Sequence, residues 1–463
     1  MDISENTLFD TLIEDRSDVF NTSISEELLN LEQQMPKKIL AGEIDKLTHV
    51  LSYTADQQIN CVLTLEGHFD LDRLRRAITL TYYAEPVLGS RFIVLPDEVY
   101  WHRRDDLHQF ELCQFEKPTN IEQAINKFVT SSIDARVELP LRIMVLRGET
   151  GDVLCIKVAH EAIDGGGIQD YISLLTSFYR KLKINPSFLP QPNQNNNRFL
   201  KQVFKGLNIF QKVFVTLSLR IRTPNMTFPW KSLEAKTRKF AVHRIAADSY
   251  RKIKDYSKKL KVTVTDLIVT AYFRAMARLT KHESKKPLIS TYTVNLRSYM
   301  PNFKATSLCN LTTASHPKIK MSENEPFEKT LKKVYKSTQK IKRQLPGLEA
   351  ALFCRLLFSM PFVKSKEILE KSIQKEVAMN ATFPIITNIG LVRSEDIDFG
   401  DVVARDGYII TPFMKSPGFL MGTITFEESL IFSMGYFEES YETQTIKHFL
   451  QMMEEELLLG VGS

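Results

Sequence analysis

The sequence is poor in features that mark several protein classes. Its 463 residues include only five cysteines, which lie at scattered positions and form no CxxC pair. This predicts reduced thiols and argues against a disulfide framework or a cysteine-based zinc site. No run of eighteen apolar residues occurs, and the N-terminus lacks a basic stretch followed by an apolar one. We therefore expect neither a membrane-spanning helix nor an export signal, and predict a cytoplasmic protein.

Motifs for metals, nucleotides and serine nucleophiles are also missing. The nine histidines form no HExxH or His-x-His pattern, so no metal site is expected. There is no Walker loop, dinucleotide fingerprint or G-x-S-x-G elbow, which argues against a nucleotide cofactor and a serine acyl-enzyme. The net charge of +6 is mild for this length, so nucleic-acid binding is not predicted.

The composition that remains is that of a globular protein with more than one domain. Hydrophobic residues make up 43% and charged residues 25%, and the chain is too long for a single ordinary core. A Pro- and Asn-rich stretch at residues 185–197 is the best linker candidate. Strand and helix patterns alternate along the chain, which predicts an α/β protein. We predict the following units: an N-terminal extension (1–40), a first domain (41–190), a linker with an amphipathic crossover segment (191–235) and a second domain (236–463).

One stretch, residues 153–167, combines a strand, a glycine turn and two polar residues. Val153 to Val158 is rich in β-branched residues and predicts a strand, and an amphipathic helix pattern starts at Ile168. His160 therefore lies at the end of a strand, and Asp164 lies in the turn before the helix. An imidazole there can act as a general base, and the carboxylate can brace the loop by pairing with a distant arginine. The alternative is a solvated histidine and an aspartate that only initiates a turn.

The hexapeptide H-E-A-I-D-G at residues 160–165 resembles the HxxxDG motif of the CoA-dependent acyltransferase superfamily. This group includes chloramphenicol acetyltransferases, condensation domains of peptide synthetases, BAHD acyltransferases and wax ester synthases. Many members carry two adjacent histidines, of which the second is catalytic; here Ala159 replaces the first and His160 is kept. The resemblance implies two chloramphenicol-acetyltransferase-like α/β sandwich domains, with the active-site tunnel at their interface.

The same resemblance implies roles for residues of the second half. Residues 288–296 alternate as a strand and lead into Asn295-Leu296-Arg297, which resembles the family's N/D-x-R pattern. Arg297 is thus the expected partner of Asp164, the alternative being a surface arginine at the start of a loop.

A second match lies further along the chain. Residues 383–390, FPIITNIG, resemble the family's S/T-N-x-G segment, which lines the tunnel. Asn388 is the expected hydrogen-bond donor to the oxyanion; the alternative is an asparagine in a turn before a glycine. Thr387, Gly165 and Gly166 are expected to contact the substrate.

The function that the resemblance implies is acyl transfer from a thioester to a hydroxyl or amine. The donor is an acyl-CoA or an acyl group on the phosphopantetheine arm of an acyl or peptidyl carrier protein, and the acceptor is a small alcohol or amine. His160 deprotonates the acceptor, and no covalent intermediate or bound cofactor is expected. We expect a monomer. The alternatives are a non-catalytic condensation-like binding module and a peripheral membrane or lipid-binding protein.

The membrane alternative rests on residues 199–222. Their apolar residues recur at helical spacing, with lysines and arginines around them. Such a basic amphipathic helix can lie on an anionic membrane. An apolar stripe more commonly packs on the protein body. We therefore favour a packed crossover helix, with weak membrane contact through this segment as the minor alternative.

Overall fold

The structure is a computed structural model and describes residues 28, 30–220, 222–282 and 286–462. From Lys38 onwards, these residues form eighteen strands and twelve α-helices. Residues 1–27 of the predicted N-terminal extension lie outside the described residues.

Between Lys38 and Ile184 the chain contains eight strands and four α-helices. The strands are β1 (Lys38–Leu40), β2 (Ala55–Asp56), β3 (Gln58–Glu66), β4 (Ser90–Val94), β5 (Val99–Arg103), β6 (Gln114–Glu116), β7 (Leu141–Arg147) and β8 (Asp152–Ala159). The helices are α1 (Glu43–Val50), α2 (Leu71–Ala84), α3 (Ile121–Thr130) and α4 (Gly165–Ile184).

Two short helices, α5 (Lys201–Phe204) and α6 (Ile209–Ser218), lead into the second half. Its strands are β9 (Arg238–Ile245), β10 (Leu288–Ile289), β11 (Thr291–Asn295), β12 (Thr312–Ser315), β13 (Lys318–Ile319), β14 (Ile385–Val392), β15 (Val403–Ile410), β16 (Phe413–Met414), β17 (Leu420–Phe426) and β18 (Ser429–Phe437). Its helices are α7 (Ala247–Lys259), α8 (Val264–Thr280), α9 (Phe327–Arg343), α10 (Leu348–Leu357), α11 (Phe362–Ala378) and α12 (Thr443–Gly462).

Two large mixed sheets organise the molecule. The first has the strand order β15-β3-β8-β7-β6, and the second has the order β12-β11-β14-β17-β18-β16-β2, with β9 also paired to β18. Strands β1, β5 and β4 form a small antiparallel sheet in the first half. Each large sheet carries its own hydrophobic core, one built mainly from the first half and one from the second.

The two halves exchange strands. Strand β15 comes from the second half, yet it pairs antiparallel with β3 along its length, with Ile410 opposite Asn60 and Val403 opposite Glu66. In the opposite direction, β2 of the first half pairs with β16 at the edge of the second sheet. Because each half supplies a strand to the other's sheet, backbone hydrogen bonds as well as side chains hold the halves together.

Local sequence explains the elements around the HxxxDG motif. All eight residues of β8 are buried, as expected for a central strand covered on both faces. Helix α4 begins where Asp164 accepts a hydrogen bond from the Gly167 amide at 2.7 Å, which is N-capping by a short acidic side chain.

The segment at residues 199–222 differs from the favoured prediction of one packed crossover helix. It forms the two short helices α5 and α6. The apolar residues of the first part are buried, as Leu200, Val203 and Leu207 show, whereas Val215 is the one buried residue of α6. Spacing alone predicted one apolar face, but which part of that face is covered depends on tertiary packing. None of the described helices is both long enough and apolar enough to cross a membrane.

Candidate active site

His160 follows the last residue of β8 and lies at the interface of the two halves. Its backbone amide donates a hydrogen bond to the Gln57 carbonyl at 2.8 Å, which fixes it beside the first sheet. Its side chain is half-buried and lines a cavity. The Nδ1 atom is buried and has no partner among the described residues. Nε2 is therefore the ring nitrogen that a molecule in the cavity can reach.

The carbonyl groups of the loop after His160 are held by side chains from elsewhere in the chain. The amide nitrogen of Asn310 donates to the carbonyls of His160 (2.7 Å) and Glu161 (2.9 Å). Arg198 donates to the carbonyl of Ala162 and forms a fully buried ion pair with Asp45, with Nε–Oδ2 at 2.6 Å. These bonds fix the backbone from which the imidazole projects.

Asp164 and Arg297 meet across the interface. Arg297 Nη1 donates to both carboxylate oxygens of Asp164, at 2.9 and 3.1 Å, and both side chains are almost fully buried. The carboxylate also accepts from the Leu311 amide at 2.7 Å and from the Thr312 hydroxyl at 2.8 Å. Asp164 therefore joins the start of α4 to the second sheet and does not contact His160 through its side chain in any described hydrogen bond.

Arg297 is itself held by a second carboxylate. Its Nε donates to Asp170 Oδ2 at 2.9 Å, and its Nη2 donates to the Cys309 carbonyl at 3.0 Å. Burial alone would raise the pKa of Asp164. The charge of Arg297 and the hydrogen bonds together have a larger, opposite effect, so this pKa lies below its usual value. Burial raises the pKa of Asp170 despite the opposing effect of Arg297. Burial thus has the larger effect on the pKa of Asp170, whereas Arg297 and the hydrogen bonds have the larger effect on that of Asp164.

The glycines after Asp164 serve close approach rather than an unusual turn. None of the three has a positive φ, and all belong to α4. A Cβ on Gly166 would lie 2.7 Å from Arg297 Nη1, and one on Gly165 would lie 2.7 Å from Ile389 Cδ1. Because glycine has no Cβ, side chains of the second half can approach the backbone of the motif closely at these positions.

Asn388 and Thr387 lie on β14 and line the same cavity as His160. The Asn388 amide nitrogen donates to the Thr265 hydroxyl at 3.1 Å, and its oxygen accepts from the Gly390 amide. One amide hydrogen of Asn388 therefore remains for a substrate, since the group has two. The Thr387 hydroxyl contacts that of Thr293 at 2.7 Å.

Two adjoining cavities lie along this interface. The first has a volume of about 310 Å³ and contains six of the seven predicted site residues in its lining, namely His160, Asp164, Gly165, Gly166, Thr387 and Asn388. Arg297 is the seventh and lies behind Asp164. The second cavity, of about 300 Å³, shares Gln169, Ile389 and Ile409 with the first. The two cavities therefore adjoin at these three residues, and His160 lines the first.

Sequence reasoning missed Asn310, Arg198 and Asp45. Each is a lone polar residue outside any recognisable motif, and Asp45 lies more than a hundred residues before His160. Their buried state and their bonds to the motif loop are visible only in three dimensions. Among the described residues, no group of three or more His, Cys, Asp or Glu side chains is placed to hold a metal ion.

Comparison with known proteins places the fold. No protein-family model and no curated protein sequence matches the chain. Solved structures do. TRI3 trichothecene 15-O-acetyltransferase from Fusarium sporotrichioides has a TM-score of 0.68 and 10% identity, covering 92% of this chain and 95% of its own. The first condensation domain of the calcium-dependent antibiotic synthetase, bound to a substrate analogue, has a TM-score of 0.67 and 13% identity, covering 90% and 95%.

The chain has the acetyltransferase and condensation-domain fold. The predicted fold class, two chloramphenicol-acetyltransferase-like domains, is thereby confirmed. The epimerization domain from the third module of tyrocidine synthetase B shares this fold as well, with a TM-score of 0.65 and 13% identity over 92% of this chain and 98% of that one. The condensation-domain fold thus occurs in proteins whose names describe different reactions, so the function has to be argued from the site.

Proposed function

We propose that this chain is an acyltransferase that moves an acyl group from a thioester to a hydroxyl or amine. The observation that carries the proposal is the position of His160. Its side chain lines an internal cavity at the domain interface, Nε2 is the ring nitrogen left for a substrate because Nδ1 is buried, and the backbone around it is fixed by groups from both halves. A rigidly held imidazole with one accessible nitrogen suits a general base.

The reaction has two proton transfers. His160 Nε2 takes the proton of the acceptor O–H or N–H as the acceptor atom attacks the thioester carbonyl carbon. The tetrahedral intermediate collapses with cleavage of the C–S bond, and the imidazolium returns the proton to the leaving thiolate. The products are an ester or amide and a free thiol. The remaining amide hydrogen of Asn388 is the proposed donor to the oxyanion, with the hydroxyl of Thr387 beside it.

The two adjoining cavities support a reaction of two substrates. Both reach Gln169, Ile389 and Ile409, and the first also reaches His160. One substrate can therefore occupy each cavity, and the reacting group of the one in the second cavity would extend past the shared residues to the imidazole. The donor is proposed to be an acyl-CoA or a carrier-bound acyl group, the second because two similar structures are domains of peptide synthetases.

Direct transfer is favoured over a cysteine acyl-enzyme. All five cysteines are buried and unpaired. Cys61 lines the second cavity, but burial raises its pKa to about 12. A thiol with so high a pKa is almost entirely protonated at neutral pH and is a poor nucleophile.

Thiol release in the presence of acceptors tests the proposal. The protein is mixed with a panel of acyl-CoAs and with alcohols or amines, and free thiol and acylated acceptor are both measured. We expect acceptor-dependent release by the native protein, and a loss of roughly a hundredfold or more in His160→Ala. His448→Ala is the matched control, because His448 is exposed and lines neither cavity.

A parallel arm uses acyl groups loaded on carrier proteins. Transfer from carrier proteins but not from acyl-CoAs would identify the donor as a carrier-bound acyl group. If neither donor class gives any transfer, the proposal of acyl transfer is contradicted and a non-catalytic binding module is favoured. Equal rates for the native protein and His160→Ala would remove His160 from the mechanism.

A further inference from the structure

Helix α6 presents its apolar face outward. The helix is well capped, with Asn208 accepting from the Gln211 amide and Gln211 Oε1 accepting from the Asn208 amide. Five large apolar side chains, here named the apolar ridge, are 42–82% exposed: Ile209, Phe210, Val213, Phe214 and Leu217. At 100° per residue they fall within a sector of roughly 140°. Val215, on the opposite side, is the buried residue that anchors the helix.

A basic pocket lies beyond the C-terminal end of this helix. Its volume is about 590 Å³. Lys333, Lys336 and Lys340 recur on one face of α9, and Lys318 and Lys320 are alternate residues at β13, so the five amino groups converge from a helix and a strand.

The pocket has little negative charge of its own. Glu349 is the one acidic residue among those that line it, and Arg222 binds it through two hydrogen bonds of 2.8 Å. Lys333 binds Glu325. Lys318, Lys336 and Lys340 have no ion pair in the described part of the chain. Several unpaired ammonium groups facing one cavity repel each other, and a multiply charged anion would relieve that repulsion.

The ridge and the pocket are continuous along the chain. Arg220 lines the pocket and follows Leu217 of the ridge by three residues. Helix α10 packs against α6, and its first turn contributes Glu349 to the pocket. Residues 198–233 contain no Asp or Glu at all, and Lys201, Lys205 and Lys212 are exposed in this segment.

We propose that this surface docks the protein on a membrane that carries anionic phospholipids. The apolar ridge inserts between the lipid headgroups, and the basic pocket takes the phosphate of an anionic headgroup. A helix that is apolar outward and bordered by lysines has the chemistry of an interfacial membrane helix. Each basic residue near an anionic surface adds to the attraction.

A second copy of the chain fits this surface less well. A two-fold symmetric contact would bring the same basic region of both molecules together, and like charges facing each other weaken association. The ridge is also a protruding helix rather than a groove, so it does not offer a cleft in which a peptide can lie. An anionic lipid surface meets both the apolar and the charged part at once.

Vesicle flotation with the full chain tests the docking. Vesicles consist of phosphatidylcholine alone or of phosphatidylcholine mixed with phosphatidylserine. Three double variants are compared with the native protein: Phe210→Ser with Leu217→Ser in the ridge, Lys336→Glu with Lys340→Glu in the pocket, and Val137→Ser with Ile184→Ser as the control. The control side chains are 66% and 87% exposed and lie elsewhere.

We expect the native protein to float with the anionic vesicles and to dissociate at high salt, since the attraction is screened. The ridge and pocket variants should each bind roughly tenfold or more weakly, and the control should bind like the native protein. Circular dichroism should show all variants folded, because the replaced side chains are exposed.

Three results would overturn the proposal. The first is a native protein that does not float with anionic vesicles. The second is an equal loss of binding in the control variant. The third is evidence that the surface has another ligand. This would be a native protein that binds no lipid but forms a dimer that the ridge variant abolishes, or one that binds inorganic pyrophosphate but not vesicles. Because the readout is lipid binding, it stands apart from the test of acyl transfer.

Discussion

Replacing Asp164 by Asn removes one charge from the buried contact that joins the two halves of the chain. Asp164 is 1% exposed and Arg297 is 4% exposed. The Asn side chain has nearly the same shape, but its single oxygen can accept from only one of the Gly167 and Leu311 amides, which bond to different oxygens of the carboxylate. The guanidinium, however, would keep only Asp170 as a charged partner. The substitution therefore removes the charge and one backbone hydrogen bond while leaving the packing almost unchanged.

The expected loss of unfolding free energy is about 3–5 kcal/mol, the usual cost of leaving one partner of a buried ion pair without its counter-charge. The reaction rate should fall as well, because Asp164 and His160 belong to one loop. A displacement of the base by about 1 Å can lower a rate by roughly a hundredfold.

Urea unfolding, followed by circular dichroism and by tryptophan fluorescence, measures the stability change. The pKa of Asp164 lies below its usual value, with Arg297 opposing the effect of burial. The stability that its ionisation adds is thus present above the pKa of an unfolded aspartate and is lost only as the pH falls through the lower, folded value. The difference between native protein and variant should stay constant between about pH 6 and 9 and close below about pH 4.

The ion pair between Arg244 and Asp406 provides the control. It also has two hydrogen bonds, at 2.8 and 2.6 Å, but both side chains are about a third exposed. Asp406→Asn should cost about 0–1 kcal/mol. If Asp164→Asn costs no more than this control, the buried pair does not hold the halves together and our reasoning is wrong.

Three further substitutions probe the groups around the motif. Gly166→Ala would place a Cβ 2.7 Å from Arg297 Nη1, and we expect thermal unfolding to report a loss of about 1–3 kcal/mol, with lower kcat. Asn310→Ala leaves the carbonyl of His160 without its donor and that of Glu161 with Arg198 alone, so kcat should fall more than KM changes, with a stability loss of about 1–3 kcal/mol. Burial, followed by the charge of Arg222, lowers the pKa of His316 to about 4. Since an unfolded histidine binds a proton below about pH 6.5, stability should fall as the pH drops from there towards 4, and His316→Gln should flatten this slope in urea titrations.

Each of these has a matched control. Gly462→Ala meets no atom within 4 Å of the added Cβ, and Asn126 and His448 are exposed, so their alanine variants should behave like the native protein. A Gly166→Ala protein as stable as Gly462→Ala would mean that the guanidinium can shift freely. An Asn310→Ala effect confined to KM would contradict a role in positioning His160. An unchanged pH slope in His316→Gln would assign the slope to other groups.

The sequence predicted best what short-range patterns determine. The run of β-branched residues before His160 predicts β8, and the amphipathic pattern from Ile168 predicts α4, because strand preference and helical periodicity act locally. The predicted glycine turn is instead the first turn of this helix, which begins at Gly165. The fold class followed from the resemblance around the same motif and is confirmed by the solved structures.

Contacts between residues far apart in the sequence could not be predicted from it. The exchange of β15 into the first sheet pairs residues more than three hundred positions apart, and nothing in either strand specifies that partner. Asn310 and Arg198 bond to carbonyls of the motif loop that lie 150 and 36 positions away in the sequence. For residues 199–222, the periodicity predicts an apolar stripe, but it does not show whether the rest of the protein covers that stripe or leaves it exposed.

The most direct measurement of the central claim compares the rates of acylated-acceptor formation by the native protein, His160→Ala and His448→Ala, with the best donor and acceptor of the panel. Our account predicts one thiol released per acceptor acylated, similar rates for the native protein and His448→Ala, and a rate lower by roughly a hundredfold or more for His160→Ala. A His160→Ala protein that forms product at the native rate would contradict the account, because the cavity would then catalyse acyl transfer without the imidazole that it surrounds.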